Sequence, residues 1–88
     1  MNVIILYKPV SEHARIVEEF MHEFVALHPD QKIALLDVDS VEGSEKASIY
    51  GIMQYPTVLA MSSDGQMQQM WTGSVLPLIS EVAYYAAS

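Results

Sequence analysis

An uninterrupted apolar run near the start of the chain limits the fold more than any other feature. Residues 3–7 read VIILY, are rich in β-branched side chains, and are followed by Lys8 and Pro9. Because polar and apolar positions do not alternate, a strand formed by this run is expected to be buried on both faces. Such strands lie in the middle of a sheet that helices cover on both sides. The run therefore predicts an α/β protein.

A long amphipathic segment supplies the first covering helix. Between residues 12 and 27, apolar side chains recur as adjacent pairs every four positions, separated by acidic residues and a histidine. This spacing places the apolar side chains on one stripe of a helix. Ser11 precedes the segment and is predicted to cap the helix, and Pro29 follows its end.

Turn and strand signals divide the rest of the chain. Gly51 is predicted to end a short second helix, and the dipeptide Asp64-Gly65 predicts a hairpin between two strands. Pro77 is predicted to lie in the first turn of the last helix. The remaining predicted elements are a strand at 32–39, a turn at 40–44, a helix at 45–50, strands at 57–61 and 66–71, and a helix at 76–86.

The order of these elements predicts the topology. The first two strands flank a helix and should be parallel, whereas the last two form an antiparallel hairpin whose second strand lies at an edge. We therefore predict a single βαβαββα domain over residues 1–88, with a four-stranded mixed sheet and helices on both faces. The predicted core residues come from the first helix and the strands: Phe20, Phe24, Ile33, Leu35, Val58 and Leu59.

Composition argues against several classes of function. The net charge is −7 and the four basic residues are scattered, so a nucleic-acid partner is not expected. No apolar stretch is long enough to cross a bilayer, and the first residues do not resemble a signal peptide. We therefore expect a cytoplasmic protein with no membrane partner. No cofactor is predicted.

Several short segments resemble those of thioredoxins and glutaredoxins. Residues 50–59, YGIMQYPTVL, are similar to the thioredoxin segment in which YGI is followed by PT and an apolar strand. The YKP at 7–9 resembles the sequence before the redox motif of glutaredoxins. The resemblance to the thioredoxin-like superfamily extends over residues 3–87. It implies a thioredoxin-like fold in which the Tyr55–Pro56 peptide bond is cis and faces the active site.

The redox motif of that superfamily is missing from this chain. Its Cys-x-x-Cys positions correspond to Ser11, Glu12, His13 and Ala14, and the sequence contains no cysteine. A buried acid that assists proton transfer in thioredoxins is replaced by Ile5. Without a thiolate there is no nucleophile for dithiol–disulfide exchange. The resemblance therefore implies a redox-inactive relative, and no catalytic residue is predicted.

What remains of the former redox site is the predicted binding site. In the superfamily, main-chain groups beside the cis-proline pair with an extended peptide or with glutathione, and such pairing needs no cysteine. The residues that the resemblance places there are Tyr7, Ser11, Tyr55, Pro56 and Thr57.

A protein- or peptide-binding or scaffold module is the leading hypothesis for the function. The sequence identifies no partner and predicts no oligomeric state. One alternative is a diverged glutaredoxin- or thioredoxin-related protein that binds a small thiol compound or a peptide. The other is a clock-type or assembly-factor-type relative, since proteins of both types have this fold without Cys-x-x-Cys.

Other polar groupings are interpreted as structural. Ser11 and His13 lie two positions apart and so do not face each other on a helix as a nucleophile and its base would. The histidines at 13, 22 and 28 lack metal-ligand spacing, so no metal site is predicted. Asp37 and Asp39 lie at the end of the second strand, two positions apart, and are expected to point the same way, so a weak Mg²⁺ or Ca²⁺ site is the alternative to residues that end the strand before a turn.

Overall fold

A computed structural model describes residues 2–73 and 75–87. The sheet order is β2-β1-β3-β4, with β1 parallel to β2 and antiparallel to β3, and β3 antiparallel to β4. The predicted mixed sheet with the fourth strand at an edge is thus confirmed. The elements are β1 (Asn2–Tyr7), α1 (Ala14–Leu27), β2 (Ile33–Asp37), α2 (Val41–Ile49), β3 (Thr57–Met61), β4 (Met67–Thr72) and α3 (Ile79–Ala86).

Buried side chains form one cluster on each face of the sheet. On one face, α1 and α3 pack against the strands through residues such as Val17, Phe24 and Val82. On the other face, α2 and the segment before β3 cover Leu6 and Leu59. Successive residues of β1 alternate between the two clusters, as neighbouring side chains of a strand do. Helices therefore cover both faces of the sheet, as predicted. None of the described helices is long and apolar enough to cross a membrane.

Leu35 is the one predicted core residue that is only partly buried. It lies on β2, which among the described residues has a neighbouring strand on one side only, so α1 covers it incompletely. Ile16 and Val25 of the predicted apolar stripe are also exposed. The stripe on α1 is thus wider than the surface that the sheet covers. The other predicted core residues are buried: Phe20, Phe24, Ile33, Val58 and Leu59.

The second helix begins earlier than the sequence predicts. It starts at Val41 because Ser40 caps it, with the Ser40 hydroxyl accepting a hydrogen bond from the Gly43 N–H at 3.0 Å. The prediction of a turn over 40–44 is therefore wrong. Gly43 belongs to the first turn of α2, where its missing side chain allows a close approach to the Asp37 carbonyl.

The second strand is shorter than predicted and ends at Asp37. There the Asp37 carboxylate accepts a hydrogen bond from the Asp39 N–H at 2.8 Å, and the chain turns. An aspartate that binds the main chain two residues later is a common turn-forming arrangement. The two aspartates therefore do not point the same way along a strand, and the Asp37 side chain stabilises the turn.

The last helix begins at Ile79, three residues later than predicted. The Glu81 carboxylate accepts a hydrogen bond from the Leu78 N–H at 3.0 Å and so satisfies a main-chain donor at the helix start. Pro77 consequently lies before the helix and not in its first turn.

The hairpin between β3 and β4 holds Asp64 in a polar turn. The Ser62 hydroxyl donates a hydrogen bond to the Asp64 carboxylate, and the Gln66 N–H donates another at 3.3 Å. Both bonds favour the ionised carboxylate and lower the pKa of Asp64 below its ordinary value of 3.8. Because the folded pKa is the lower one, the carboxylate stabilises the fold above the unfolded pKa, and this contribution is lost as the pH falls through the folded pKa.

We expect Ser62→Ala to raise the pKa of Asp64 towards the ordinary value, because the hydroxyl is the larger of the two influences. An NMR titration of the Asp64 carboxyl carbon measures the change. Ser63→Ala is the control, since the structure shows no hydrogen bond from the Ser63 side chain to the described residues. Equal pKa values in the wild type and in Ser62→Ala would contradict the assignment.

Candidate functional site

Side chains at the positions that correspond to the thioredoxin redox motif close the loop between β1 and α1. The N–H of Lys8 donates a hydrogen bond to Nε2 of His13 at 3.1 Å, and the carbonyl of Lys8 accepts one from the Ser11 hydroxyl at 2.6 Å. Both main-chain polar groups of Lys8 are therefore bound within the loop.

The prediction that Ser11 caps the first helix is wrong. The helix begins at Ala14, with His13 at the N-cap position and no capping side chain. A capping Ser11 hydroxyl would accept a hydrogen bond from the Ala14 N–H. This N–H instead donates to the main-chain carbonyl of Ser11 at 3.3 Å. Residues 11–13 thus form a separate turn ahead of the helix.

The other motif positions hold no group suited to redox chemistry. Ala14 is buried against the core, and Glu12 is exposed to solvent. Ile5, which stands where thioredoxins carry an acid, is completely buried. With no thiol at the motif and no acid beneath it, this site cannot carry out dithiol–disulfide exchange.

The loop before β3 forms the other wall of the site. The Tyr55–Pro56 peptide bond is cis, the geometry that the resemblance implies. The Thr57 hydroxyl donates to the Gln54 carbonyl at 2.6 Å, and the Pro56 carbonyl accepts the Gly73 N–H at 3.1 Å. Pro56 and Thr57 are buried. Their side chains therefore support the loop from beneath and do not face a ligand.

The main chain of Tyr55 has unused hydrogen-bonding capacity. Within residues 2–73 and 75–87, neither the N–H nor the carbonyl of Tyr55 has a hydrogen-bond partner. Its neighbours differ, since the carbonyls of Gln54 and Pro56 are both occupied. A main-chain donor and acceptor left open together can pair with an added extended chain.

A shallow cavity of about 400 Å³ lies between the two loops. It is lined by Glu12, His13, Ile16 and Tyr55. Beside it, the Lys8 ammonium nitrogen lies 6.0 Å from the centre of the Tyr55 ring. The cavity thus combines an apolar side chain, an aromatic ring and charges of both signs. Because Glu12 and Lys8 are exposed, solvent screens their interactions with any ligand.

The structure gathers only part of the predicted binding set. Of the five predicted residues, Tyr55 alone lines the cavity. The Tyr7 side chain packs with the cluster under α1 and α3, whereas Tyr55 packs with the cluster under α2, so the two rings lie on opposite faces of the sheet. Ser11 is engaged with the Lys8 carbonyl.

Sequence reasoning missed Ile16 as a lining residue. Its place in the apolar stripe of the first helix predicts burial, but the side chain is 44% exposed. The available signal is its position on the turn of helix that follows the motif, next to the predicted site.

The three histidines lie in different environments. His13 accepts the hydrogen bond from Lys8, and His22 is exposed on α1. The ring of His28 packs against Phe24 with 5.3 Å between ring centres. Among the described residues, no three side chains of the histidine, cysteine, aspartate and glutamate types are placed to hold a metal ion together.

Solved thioredoxin structures share this fold. The chain superposes on mitochondrial thioredoxin 3 of Saccharomyces cerevisiae with a TM-score of 0.68 at 19% identity, covering 97% of this chain and 74% of that one. For the thioredoxin of Fasciola hepatica the TM-score is 0.68 at 17% identity, with 97% and 76% covered. For thioredoxin 1 of Thermosipho africanus the TM-score is 0.67 at 15% identity, with 97% and 89% covered.

These similarities show that the fold is thioredoxin-like, as the sequence resemblance predicts. No protein-family model matches the sequence, and no curated protein does. Sequence identities this low support the assignment of the fold but not the assignment of an activity. The function must therefore be argued from the residues of the site.

Proposed function

We propose that this chain is a redox-inactive thioredoxin-like module that binds an extended segment of a partner protein between the β1–α1 loop and the loop before β3. The observation that carries the proposal is the open peptide group of Tyr55, which lies beside the cavity lined by Glu12, His13 and Ile16. Loss of the thiols removes disulfide chemistry from this surface and leaves its main-chain donors and acceptors in place.

Exposed apolar side chains in both loops would contribute most of the affinity. Val10 of the β1–α1 loop is 97% exposed, and Met53, two residues before Tyr55, is 87% exposed. A partner that covers them gains about 25 cal/mol for each Å² of apolar surface removed from water. Methionine also adapts its shape to different partner surfaces.

The proposal is tested with an uncharged synthetic peptide of alternating valine and threonine, titrated into isotope-labelled protein. We expect the amide signals of Glu12, His13 and Tyr55 to shift. A peptide with N-methylated valine at its centre should bind about tenfold more weakly, because it loses a main-chain donor and keeps its side chains.

A pair of substitutions supplies the control. Met53→Ser should weaken the binding about tenfold, whereas Leu27→Ser, at the far end of α1, should leave it unchanged. Leu27 is 66% exposed, so its replacement removes a comparable apolar side chain from a surface outside the site. Equal affinities of the two variants, or amide shifts confined to β4, would refute the proposal.

Lys8 favours a small thiol compound as the second candidate ligand. Its ammonium group beside the Tyr55 ring could bind a carboxylate of a compound such as glutathione. In the same titration, glutathione-induced shifts that Lys8→Gln abolishes and Lys32→Gln leaves intact would favour this ligand. Lys32 is a matched control because it is an exposed lysine just before β2.

A further inference from the structure

We infer that the outer edge of β2, with the groove between β2 and α1, is a second binding surface that takes a cationic extended segment of a partner protein as an additional strand. We call it the β2 edge surface, and its residues are Glu18, Met21, His22, Val25, Ala26 and Leu35 together with the main chain of 33–37. It is separate from the site around Tyr55 and does not depend on the proposed function.

The two edges of the sheet are protected to different degrees. Protein sheets commonly block edge pairing with bulges, prolines or charged side chains. At the β4 edge, the pairing with β3 shifts register between Ala60 and Met61. β2 instead pairs with β1 in an unbroken register from Ile33 to Asp37, and it has no proline and no charged residue before Asp37. Within the described residues β2 has no strand on its outer side. β2 is therefore the edge open to another strand.

An apolar groove of about 520 Å³ runs beside this open edge. Val25 is 47% exposed in it, and Leu35 is only partly buried. Both have the apolar spacing of core residues, yet the fold covers each of them only in part. Side chains of an added strand project alternately to its two faces, so every second one would reach this groove. The main chain of β2 and the groove can thus be occupied by one segment at the same time.

The charges on α1 select the partner. Glu18 lines the groove, and the adjoining outer surface of α1 adds Glu19 and Glu23. Arg15, the one arginine or lysine lining that surface, is paired with Glu19 at 3.0 Å. A partner with lysine or arginine between its apolar residues complements this surface. A second copy of this chain, with a net charge of −7, would bring the same carboxylates together and is disfavoured.

The probe is a synthetic peptide of alternating lysine and valine, titrated into the isotope-labelled chain. We expect the amides of 33–37 whose N–H groups face away from β1 to shift and to exchange more slowly with solvent, together with shifts at Met21 and Val25. A matched peptide with glutamate in place of lysine should not bind. Added salt should weaken the binding of the lysine peptide, because ions screen the exposed carboxylates that attract it.

Two substitutions on α1 separate this surface from general attraction to an acidic protein. Val25→Lys puts a positive charge and a longer side chain into the groove and should weaken the binding of the lysine peptide about tenfold or more. Leu27→Lys adds the same charge to the same helix outside the groove and should change the affinity less than about twofold. Urea unfolding of both variants verifies that each is folded.

Four results would overturn the inference. If the lysine peptide shifted only amide signals in the loops around Tyr55, it would bind at the site of the proposed function and not at the β2 edge surface. Equal binding of the glutamate peptide, or equal weakening by Val25→Lys and Leu27→Lys, would remove the charge and groove arguments. Sedimentation showing that the free chain dimerises, and that Val25→Lys makes it monomeric, would assign the β2 edge surface to a second copy.

Discussion

Phe24→Ala is expected to lower the free energy of unfolding by about 3–5 kcal/mol. The Phe24 side chain is completely buried on α1, with its ring centre 6.3 Å from that of Phe20 and 5.3 Å from that of His28. Truncation leaves a cavity between the helix and the sheet, which close-packed neighbours refill only in part. The total stability of a chain of this length is about 4–13 kcal/mol, so at the lower end of that range the variant would not stay folded.

Urea unfolding followed by circular dichroism measures this effect. Leu27→Ala is the control on the same helix, and because its side chain is largely exposed it should change the stability by less than about 0.5 kcal/mol. A loss under about 1 kcal/mol in Phe24→Ala, with an unchanged denaturant slope, would mean that the buried side of α1 is assigned wrongly.

The topology could be predicted because its signals are local and regular. The apolar run at 3–7 requires cover on both faces, and the paired apolar positions of α1 repeat over three turns. Burial at the margins could not be predicted in the same way. Ile16, Val25 and Leu35 have the spacing of core residues, but the sheet ends at β2 and leaves them partly uncovered. Sequence periodicity shows which side of a helix is apolar and not how far its neighbour extends.

Helix starts were harder to predict, as a comparison of two serines shows. Ser11 and Ser40 each precede a helix, and each hydroxyl donates to the carbonyl three residues earlier. Only Ser40 also accepts a helical N–H, that of Gly43. The corresponding N–H after Ser11, that of Ala14, instead donates a hydrogen bond to the main-chain carbonyl of Ser11. The difference lies in the path of the loop, which residue type does not determine.

Of the residues that the resemblance places at the binding site, the structure brings only some together. The YGI…PT segment indicates the loop that presents Tyr55. That Tyr7 lies on the opposite face follows from strand alternation, because it shares its side of β1 with Val3 and Ile5. The bonds of Ser11 and His13 to Lys8 depend on the fold of the loop and have no periodic signal.

Gly43→Ala is expected to destabilise the chain by about 2 kcal/mol, although alanine is the better helix former by about 1 kcal/mol. A methyl group on Gly43 would overlap the Asp37 carbonyl oxygen and stand 2.8 Å from the carbonyl carbon. These are main-chain atoms at the end of β2 and cannot rotate away as a side chain would. The same carbonyl oxygen accepts the Ser40 N–H at 3.0 Å and the Ser40 hydroxyl at 2.6 Å. Relief of the overlap therefore breaks the hydrogen bonds that begin α2.

Urea unfolding of Gly43→Ala beside Ser48→Ala separates the overlap from helix propensity. Ser48 is exposed on the same helix, and the structure shows no hydrogen bond from its side chain to the described residues, so alanine there should be neutral or slightly stabilising. Equal stabilities of the two variants would mean that α2 moves away from β2 at little cost. A loss confined to Gly43→Ala would instead establish that a glycine within a helix, which the sequence pattern assigns to a turn, is required where α2 contacts the end of β2.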